Sequence, residues 1–147
     1  MFKRIYLTML FFSLFMSNPK NDILTVMDSY NKAFGDADYS KIIKLFDLPA
    51  SFNLEDKTIT ASSKFKLKLI YKKIRGDLPD YYSYSKWKEV KIKLIDNNIA
   101  IVDADFVRYK KDGTSFYSGS GQYHLRLEKD GWKIFSLTPY EKVKFLD

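Results

Sequence analysis

The chain contains no cysteine, a single histidine and only four prolines, which stand alone at positions 19, 49, 79 and 139. Without cysteine there is no disulfide, no thiolate nucleophile and no Cys-based metal site. A lone His124 offers no second imidazole for a metal. The compartment stays open, because a domain of this size folds without covalent staples. No internal repeat, low-complexity tract or Pro/Gly/Ser-rich linker divides the chain. A Gly-rich phosphate loop, a Ser-His-Asp arrangement and a nucleophile elbow are all missing, so no motif names catalytic residues, a metal or a cofactor. What is present is 147 residues that are 46% hydrophobic and 17% aromatic, enough for one domain with one sizeable core. The formal charge is +7, from 25 basic and 18 acidic residues. The lysines are dispersed and interleaved with acids, without a recognised nucleic-acid module, so nucleic acid is not an expected partner. Attraction to anionic surfaces or ligands is the broader implication.

At the N-terminus Lys3-Arg4 precede the apolar run Ile5 to Met16, and Ser17-Asn18-Pro19-Lys20 follow. Basic, apolar, polar is the order of an export signal, and about a dozen apolar residues falls short of the roughly 20 that span a membrane. Phe15 and Met16 stand where a signal peptidase favours small residues, so both a cleaved signal and an uncleaved anchor over 1–17 fit. Cleavage after Ser17 removes Lys3 and Arg4 and lowers the formal charge from +7 to +5. The protein is expected to be exported, periplasmic or secreted, or to be membrane-anchored through this segment alone.

Beyond it, Asn21 or Asp22 is a good N-cap for a first helix, with the apolar stripe Ile23, Val26-Met27, Tyr30 and Ala33-Phe34 and with Gly35 as its stop. A short second helix is expected from Tyr39 to Phe46, capped by Asp38, with Pro49 barring continuation. Weak alternation over 50–60 suggests one or two short strands. Between Ser62 and Arg75, Phe65, Leu67 and Leu69 alternate like a strand, while Leu67, Ile70-Tyr71 and Ile74 step like a helix. Length and Gly76-Asp77-Leu78-Pro79 favour the helix, with its lysines around the solvated side. Strands follow from Tyr82 to Ile95, with Val90, Ile92 and Leu94 on one face, and from Ile99 to Tyr109. Apolar alternation then breaks at Lys111-Asp112-Gly113 and at Lys129-Asp130-Gly131, both carrying the Asp-Gly that tight hairpins prefer. The fold class is therefore α+β: three N-terminal helices packed on a strongly curved, mostly antiparallel sheet.

These positions carry a resemblance: Tyr30-Asn31-Lys32-Ala33-Phe34 with Gly35 to Tyr39, Leu45-Phe46, Ala100 to Arg108, Asp112-Gly113, Tyr123 to Leu127 and Gly131-Trp132-Lys133-Ile134. Over roughly residues 21 to 141, leaving 142–147 as a tail, the chain resembles the nuclear transport factor 2-like superfamily. That is the cone-shaped, cystatin-like α+β fold of SnoaL-type polyketide cyclases and steroid isomerases. All of these are packing and turn positions, so the resemblance implies a fold and leaves function open.

The superfamily pocket lies between sheet and helices. Alternation nominates its walls: Ala100, Val102, Ala104, Phe106 and Arg108 on one strand, and Tyr117, Gly119, Gly121, Tyr123, Leu125 and Leu127 on the next. Gly119 and Gly121 leave room there for sheet curvature or for a ligand. Arg108 is either an anion holder at the mouth or a solvated strand-end charge. The steroid-isomerase branch implies a helix-1 tyrosine as oxyanion donor, which falls on Tyr30. Its aspartate base falls on Leu54 and its second aspartate on Tyr123, so proton abstraction of that kind lacks its base. Candidate pocket residues are thus Tyr30, Phe34, Phe52, Leu54, Phe106, Arg108, Gly121 and Tyr123, with no catalytic residue, metal or cofactor assigned. Asp103 and Asp105 share a face and are expected to pair with Lys91 and Lys93. Strand parity turns His124 away from Tyr123. Phe116, Phe135 and Leu137 are candidates for a homodimer through the exposed sheet face.

The sequence therefore points first to an exported, non-catalytic domain that binds a small, partly apolar molecule or a protein partner. The alternative is a small-molecule enzyme of the SnoaL-like cyclase, isomerase or dehydratase kind, with Tyr30, Tyr123 and Arg108 positioning substrate. A cone filled by its own aromatics is the third.

Overall fold

A computed structural model describes residues 18–141 together with Val143, Phe145 and Leu146. The segment 1–17, assigned above to a signal or anchor, lies outside the described residues. Three helices and six strands follow in order: α1 (Pro19–Gly35), α2 (Tyr39–Lys44), β1 (Phe46–Asn53), β2 (Thr58–Ala61), α3 (Lys64–Gly76), β3 (Tyr82–Ile95), β4 (Ile99–Lys110), β5 (Ser115–Glu128) and β6 (Gly131–Tyr140). They form one sheet of order β2-β1-β6-β5-β4-β3, antiparallel except where β1 lies parallel to β6. The expected α+β class, with helices against a curved sheet, is what the chain adopts.

α1 is capped three residues before Asn21, the earlier of its two expected caps. Asn18 is the cap, accepting a hydrogen bond from the Asn21 amide at 3.4 Å, and Pro19 occupies the first helical position, where its missing N–H costs nothing. At the other end Gly35 stays helical, and the left-handed residue is Ala37 at φ 54°. The amides of Asp36 and Asp38 close the helix on the carbonyls of Lys32 and Ala33, both at 2.9 Å. Arg75 completes the cap from α3, with Nε donating to the Phe34 carbonyl at 3.1 Å and Nη2 to that of Gly35 at 3.2 Å. The buried stripe Ile23, Met27, Tyr30, Ala33 and Phe34 is the one the 3.6-residue period predicts.

α2 ends at Lys44, before Phe46, which opens β1 and joins the core. Pro49, expected to block a helix, lies within β1 after a cis peptide bond. α3 is capped by Ser63, whose hydroxyl accepts from the Lys66 amide at 3.1 Å, and buries Leu67 and Tyr71. Both Asp-Gly breaks are hairpins, with Gly113 at φ 85° and Gly131 at φ 113°. At the β3–β4 turn the left-handed positions are Asp96 and Asn97, residue types that tolerate this region.

Four bulges in the antiparallel ladders bend the sheet. An extra residue sits at Ser83 and Lys88 in β3 and at Phe116 in β5, where the pairing skips. Phe135 in β6 is the fourth, because His124 pairs with Ser136 while Leu125 pairs with Ile134. Each bulge bends the sheet and reverses which alternating residues point inward. Trp87, Leu137 and Pro139 consequently share the concave side with Phe106 and Tyr123.

Two expectations for the convex face change as a result. Of the three residues nominated for a dimer contact, Leu137 faces the interior, and Phe116 packs against Tyr81 and Tyr82 with ring centroids 4.9 and 6.4 Å away. Phe135 alone stays on the convex side, beneath the Arg126 guanidinium at 4.2 Å. Asp103 stands directly across from Lys91 in the β3–β4 register, but among the described residues neither Asp103 nor Asp105 forms an ion pair with Lys91 or Lys93. Asp105 accepts from Ser120 at 2.6 Å and Asp103 from Gln122 at 3.0 Å, while Lys91 pairs with Glu89 at 3.4 Å. The neighbouring strand β5 offers neutral donors directly across from the two carboxylates, Ser120 opposite Asp105 and Gln122 opposite Asp103.

Candidate functional site

The concave side of the sheet, α1 and α3 enclose a cavity of about 430 Å³. All eight residues nominated from the sequence lie on its lining. Phe52, Ile59, Ile70, Ile74, Trp87, Phe106 and Leu137 supply most of the wall, so the cavity is overwhelmingly apolar. Trp87 is pinned by its indole N–H, which donates to the Met27 carbonyl of α1 at 3.3 Å. Lys57, Lys73 and Asp77 stand at the rim; Lys73 and Asp77 are ion-paired at 3.0 Å and largely exposed.

At the centre of the α1 wall is a cluster of three tyrosines. The Tyr71 hydroxyl donates to that of Tyr30 at 3.2 Å, and Tyr123 packs against Tyr30 from the sheet. The rings meet edge to face, Tyr30 lying 6.0 Å from Tyr71 and 5.6 Å from Tyr123 between centroids. Burial pushes the Tyr71 and Tyr123 phenols well above the ordinary tyrosine value. It also raises Tyr30, less strongly, because the neighbouring Tyr71 and Tyr123 hydroxyls act in the opposite direction. All three are therefore neutral donors at physiological pH. Tyr30, with its oxygen already accepting, has its own proton free to give, a polarised arrangement that strengthens it as a donor.

Among the described residues Arg108 is the one cation projecting into the apolar part of the lining. Its guanidinium carbon lies 4.9 Å from the Tyr117 ring centroid, 5.1 Å from Phe106 and 5.9 Å from Tyr82. Its Nε is buried with no hydrogen-bond partner, and among the described residues no carboxylate pairs with it. Burial lowers its pKa, and the surrounding tyrosines act in the opposite direction; arginine nevertheless stays charged. Cation–π contacts offset part of the desolvation without satisfying the fork of N–H donors.

The two glycines prove to be neither ligand space nor curvature alone. A Cβ on Gly119 would stand 2.7 Å from Phe106 Cζ and 2.8 Å from Tyr117 Cε1, and one on Gly121 3.0 Å from Tyr123 Cε2. Aromatic rings lie across both backbones, and those rings are the cavity wall and the Arg108 platform.

Sequence reasoning missed Tyr71, Trp87 and Leu137. The signal for Tyr71 was present, since it lies on the helical stripe with Leu67 and Ile74; its hydroxyl needed a buried partner, and Tyr30 was the available one. Trp87 and Leu137 were concealed by bulges. Leu54, on the rim and 37% exposed, leaves the steroid-isomerase base position apolar. His124 sits on the convex side, its ring 6.0 Å from Phe135. Among the described residues no group of three or more His, Asp or Glu side chains is placed to hold a metal ion.

A helix-backed, bulged sheet closing on an apolar cavity defines an NTF2-like cone. The family described as NTF2-like protein (DUF6841) matches residues 21–142, and the chain belongs to it. Among solved structures it is similar to a protein of unknown function with a cystatin-like fold from Nostoc punctiforme, at TM-score 0.69 and 10% identity over 82% of this chain and 88% of that one. An NTF2-like protein of unknown function from Shewanella oneidensis matches at TM-score 0.66 and 16% identity over 83% and 98%. An NTF2-like superfamily protein from Salmonella enterica matches at TM-score 0.63 and 18% identity over 85% and 92%. At such identities the likeness is one of fold. No curated protein matches the chain.

Proposed function

We propose that the cone binds a small, largely apolar molecule carrying one anionic or carbonyl head. The head lies between the Arg108 guanidinium and the hydroxyls of Tyr30 and Tyr123, and the body lies against Trp87, Phe106, Ile70 and Ile74. The observation that carries this is the unpaired, half-buried Arg108, with an unsatisfied Nε, in a cavity whose other charged lining residues, Lys57, Lys73 and Asp77, stand at the rim. A buried cation without a counter-ion is costly to stability, and a ligand anion offsets that cost through charge-assisted hydrogen bonds. We further place the protein outside the cytoplasm or held at the membrane, on the Lys3-Arg4 and Ile5–Met16 pattern. The N-terminal mass of the protein from its own host tests that part.

The test of binding is a pair of fluorescent probes with the same aromatic body: anilinonaphthalene sulfonate, which is anionic, and N-phenylnaphthylamine, which is neutral. Both are expected to bind and to quench Trp87, the sulfonate more tightly, and Arg108→Met abolishes that preference while the neutral probe still binds. Failure of both to enter contradicts the cavity; equal affinity contradicts the role of Arg108.

A second reading, an enzyme of the cyclase, isomerase or dehydratase kind, draws support from Tyr30, whose hydroxyl accepts from Tyr71 and keeps its own proton for a developing oxyanion. It needs a base, and the carboxylate on the described lining, Asp77, is at the rim and ion-paired with Lys73.

A further inference from the structure

We propose that α3 lies on an anionic phospholipid surface, so that membrane contact does not depend on the N-terminal segment alone. Residues Lys64–Gly76 carry Lys64, Lys66, Lys68, Lys72, Lys73 and Arg75 and not one acid. Advancing about 100° per residue, Phe65 and Leu69 fall on the side opposite Leu67, Tyr71 and Ile74. The inward stripe is buried, with Leu67 0% and Tyr71 1% exposed, whereas Phe65 is 71% and Leu69 49% exposed. The same projection sets Lys68 and Lys72 along one flank of the outer stripe and Lys66 and Lys73 along the other.

A helix that only roofs a core needs one apolar stripe; α3 has two. The second is bracketed by cations, and of those only Lys73 has an ion-pair partner among the described residues. Apolar side chains between two rows of lysine are the pattern of a helix lying in the headgroup plane: the lysines reach up to lipid phosphates and the ring enters the acyl boundary. Charge complementarity selects an anionic bilayer over a neutral one. A soluble polyanion would engage the lysines and leave Phe65 in water. Because Ile70, Lys73 and Ile74 also line the cavity, a docked α3 sets the cavity rim at the lipid surface.

The test is sedimentation of the full chain with phosphatidylcholine vesicles, with and without phosphatidylglycerol at roughly one lipid in three. Two multiple variants are compared with wild type: Lys66→Glu with Lys68→Glu and Lys72→Glu, and Phe65→Ser with Leu69→Ser. The N-terminal segment is common to all, so differences report α3. Wild type is expected to partition at least about tenfold more strongly onto the anionic vesicles. Since each surface lysine is worth about fivefold, the triple variant loses that preference, and the double variant loses about tenfold on anionic vesicles. All five substitutions replace side chains at the surface, and unchanged near-ultraviolet circular dichroism verifies the fold. The proposal is overturned if the triple variant keeps the preference, which would assign it to other cations. It is equally overturned if the double variant binds like wild type, which would mean adsorption by charge without insertion. Heparin binding as tight as vesicle binding and indifferent to Phe65→Ser with Leu69→Ser would identify a soluble polyanion and refute lipid docking.

Discussion

Replacing Tyr30 by phenylalanine tests the hydrogen-bond cluster from its centre. The Tyr30 hydroxyl accepts from Tyr71 at 3.2 Å, so deleting its oxygen removes an interaction of about 1 kcal/mol. Tyr71 is 1% exposed and not part of the cavity lining, so its O–H is then left buried without a partner, at a cost of about 1–3 kcal/mol. Tyr123 lines the cavity and retains access to ligand or solvent there. The expected loss for Tyr30→Phe is thus about 2–4 kcal/mol. Tyr71→Phe deletes that one donor, costing about 1 kcal/mol. Urea unfolding followed by tryptophan fluorescence, with the slope held equal across variants, gives both numbers. A Tyr30→Phe protein as stable as Tyr71→Phe, or more so, would refute the cluster as described.

Three further outcomes follow from the same geometry. Arg108→Met removes an unpaired half-buried charge, so thermal unfolding should show unchanged or higher stability by up to about 1 kcal/mol; a large loss would make Arg108 a structural residue. Gly119→Ala drives the Phe106 and Tyr117 rings apart, costing about 1–3 kcal/mol and weakening probe binding, and a neutral effect on both would contradict the ring-over-glycine packing. Tyr30, Tyr71 and Tyr123 are all held above the ordinary value of 10.0. Stability is therefore complete below about pH 10 and falls above it, because the unfolded chain ionises these phenols first. Tyr71→Phe should make that alkaline fall shallower by up to about 1.4 kcal/mol per pH unit, and an unchanged slope would show that Tyr71 ionises normally in the fold.

The residues that were legible in the sequence are those governed by an uninterrupted period. The α1 stripe, the Asp-Gly hairpins and the inward run Ala100, Val102, Ala104, Phe106 and Arg108 follow from 3.6- and 2-residue spacing alone. The cavity wall was legible as far as that parity held. Lys88, Phe116 and Phe135 each insert one residue against the neighbouring strand, and across each insertion the inward and outward sets exchange. That is why Trp87 escaped notice and why Leu137 was assigned to the wrong face. Nothing local marks these bulges, since they are fixed by the partner strand and by curvature around α1. At helix ends the misses were smaller in kind: Pro19 and Asn18 outweighed the apolar start, and the long-range donation from Arg75 made Gly35 unnecessary as a stop. Phe65 and Leu69, which gave α3 its strand-like alternation, turn out to be its second apolar face.

The most direct measurement is a crystal structure of the protein with anilinonaphthalene sulfonate bound. The naphthalene body is expected against Trp87 and Phe106 and the sulfonate about 2.7–2.9 Å from the Arg108 guanidinium, with Tyr30 or Tyr123 donating to the same group. A probe seated on the convex face or on α3, with Arg108 still against its three rings, would contradict that placement.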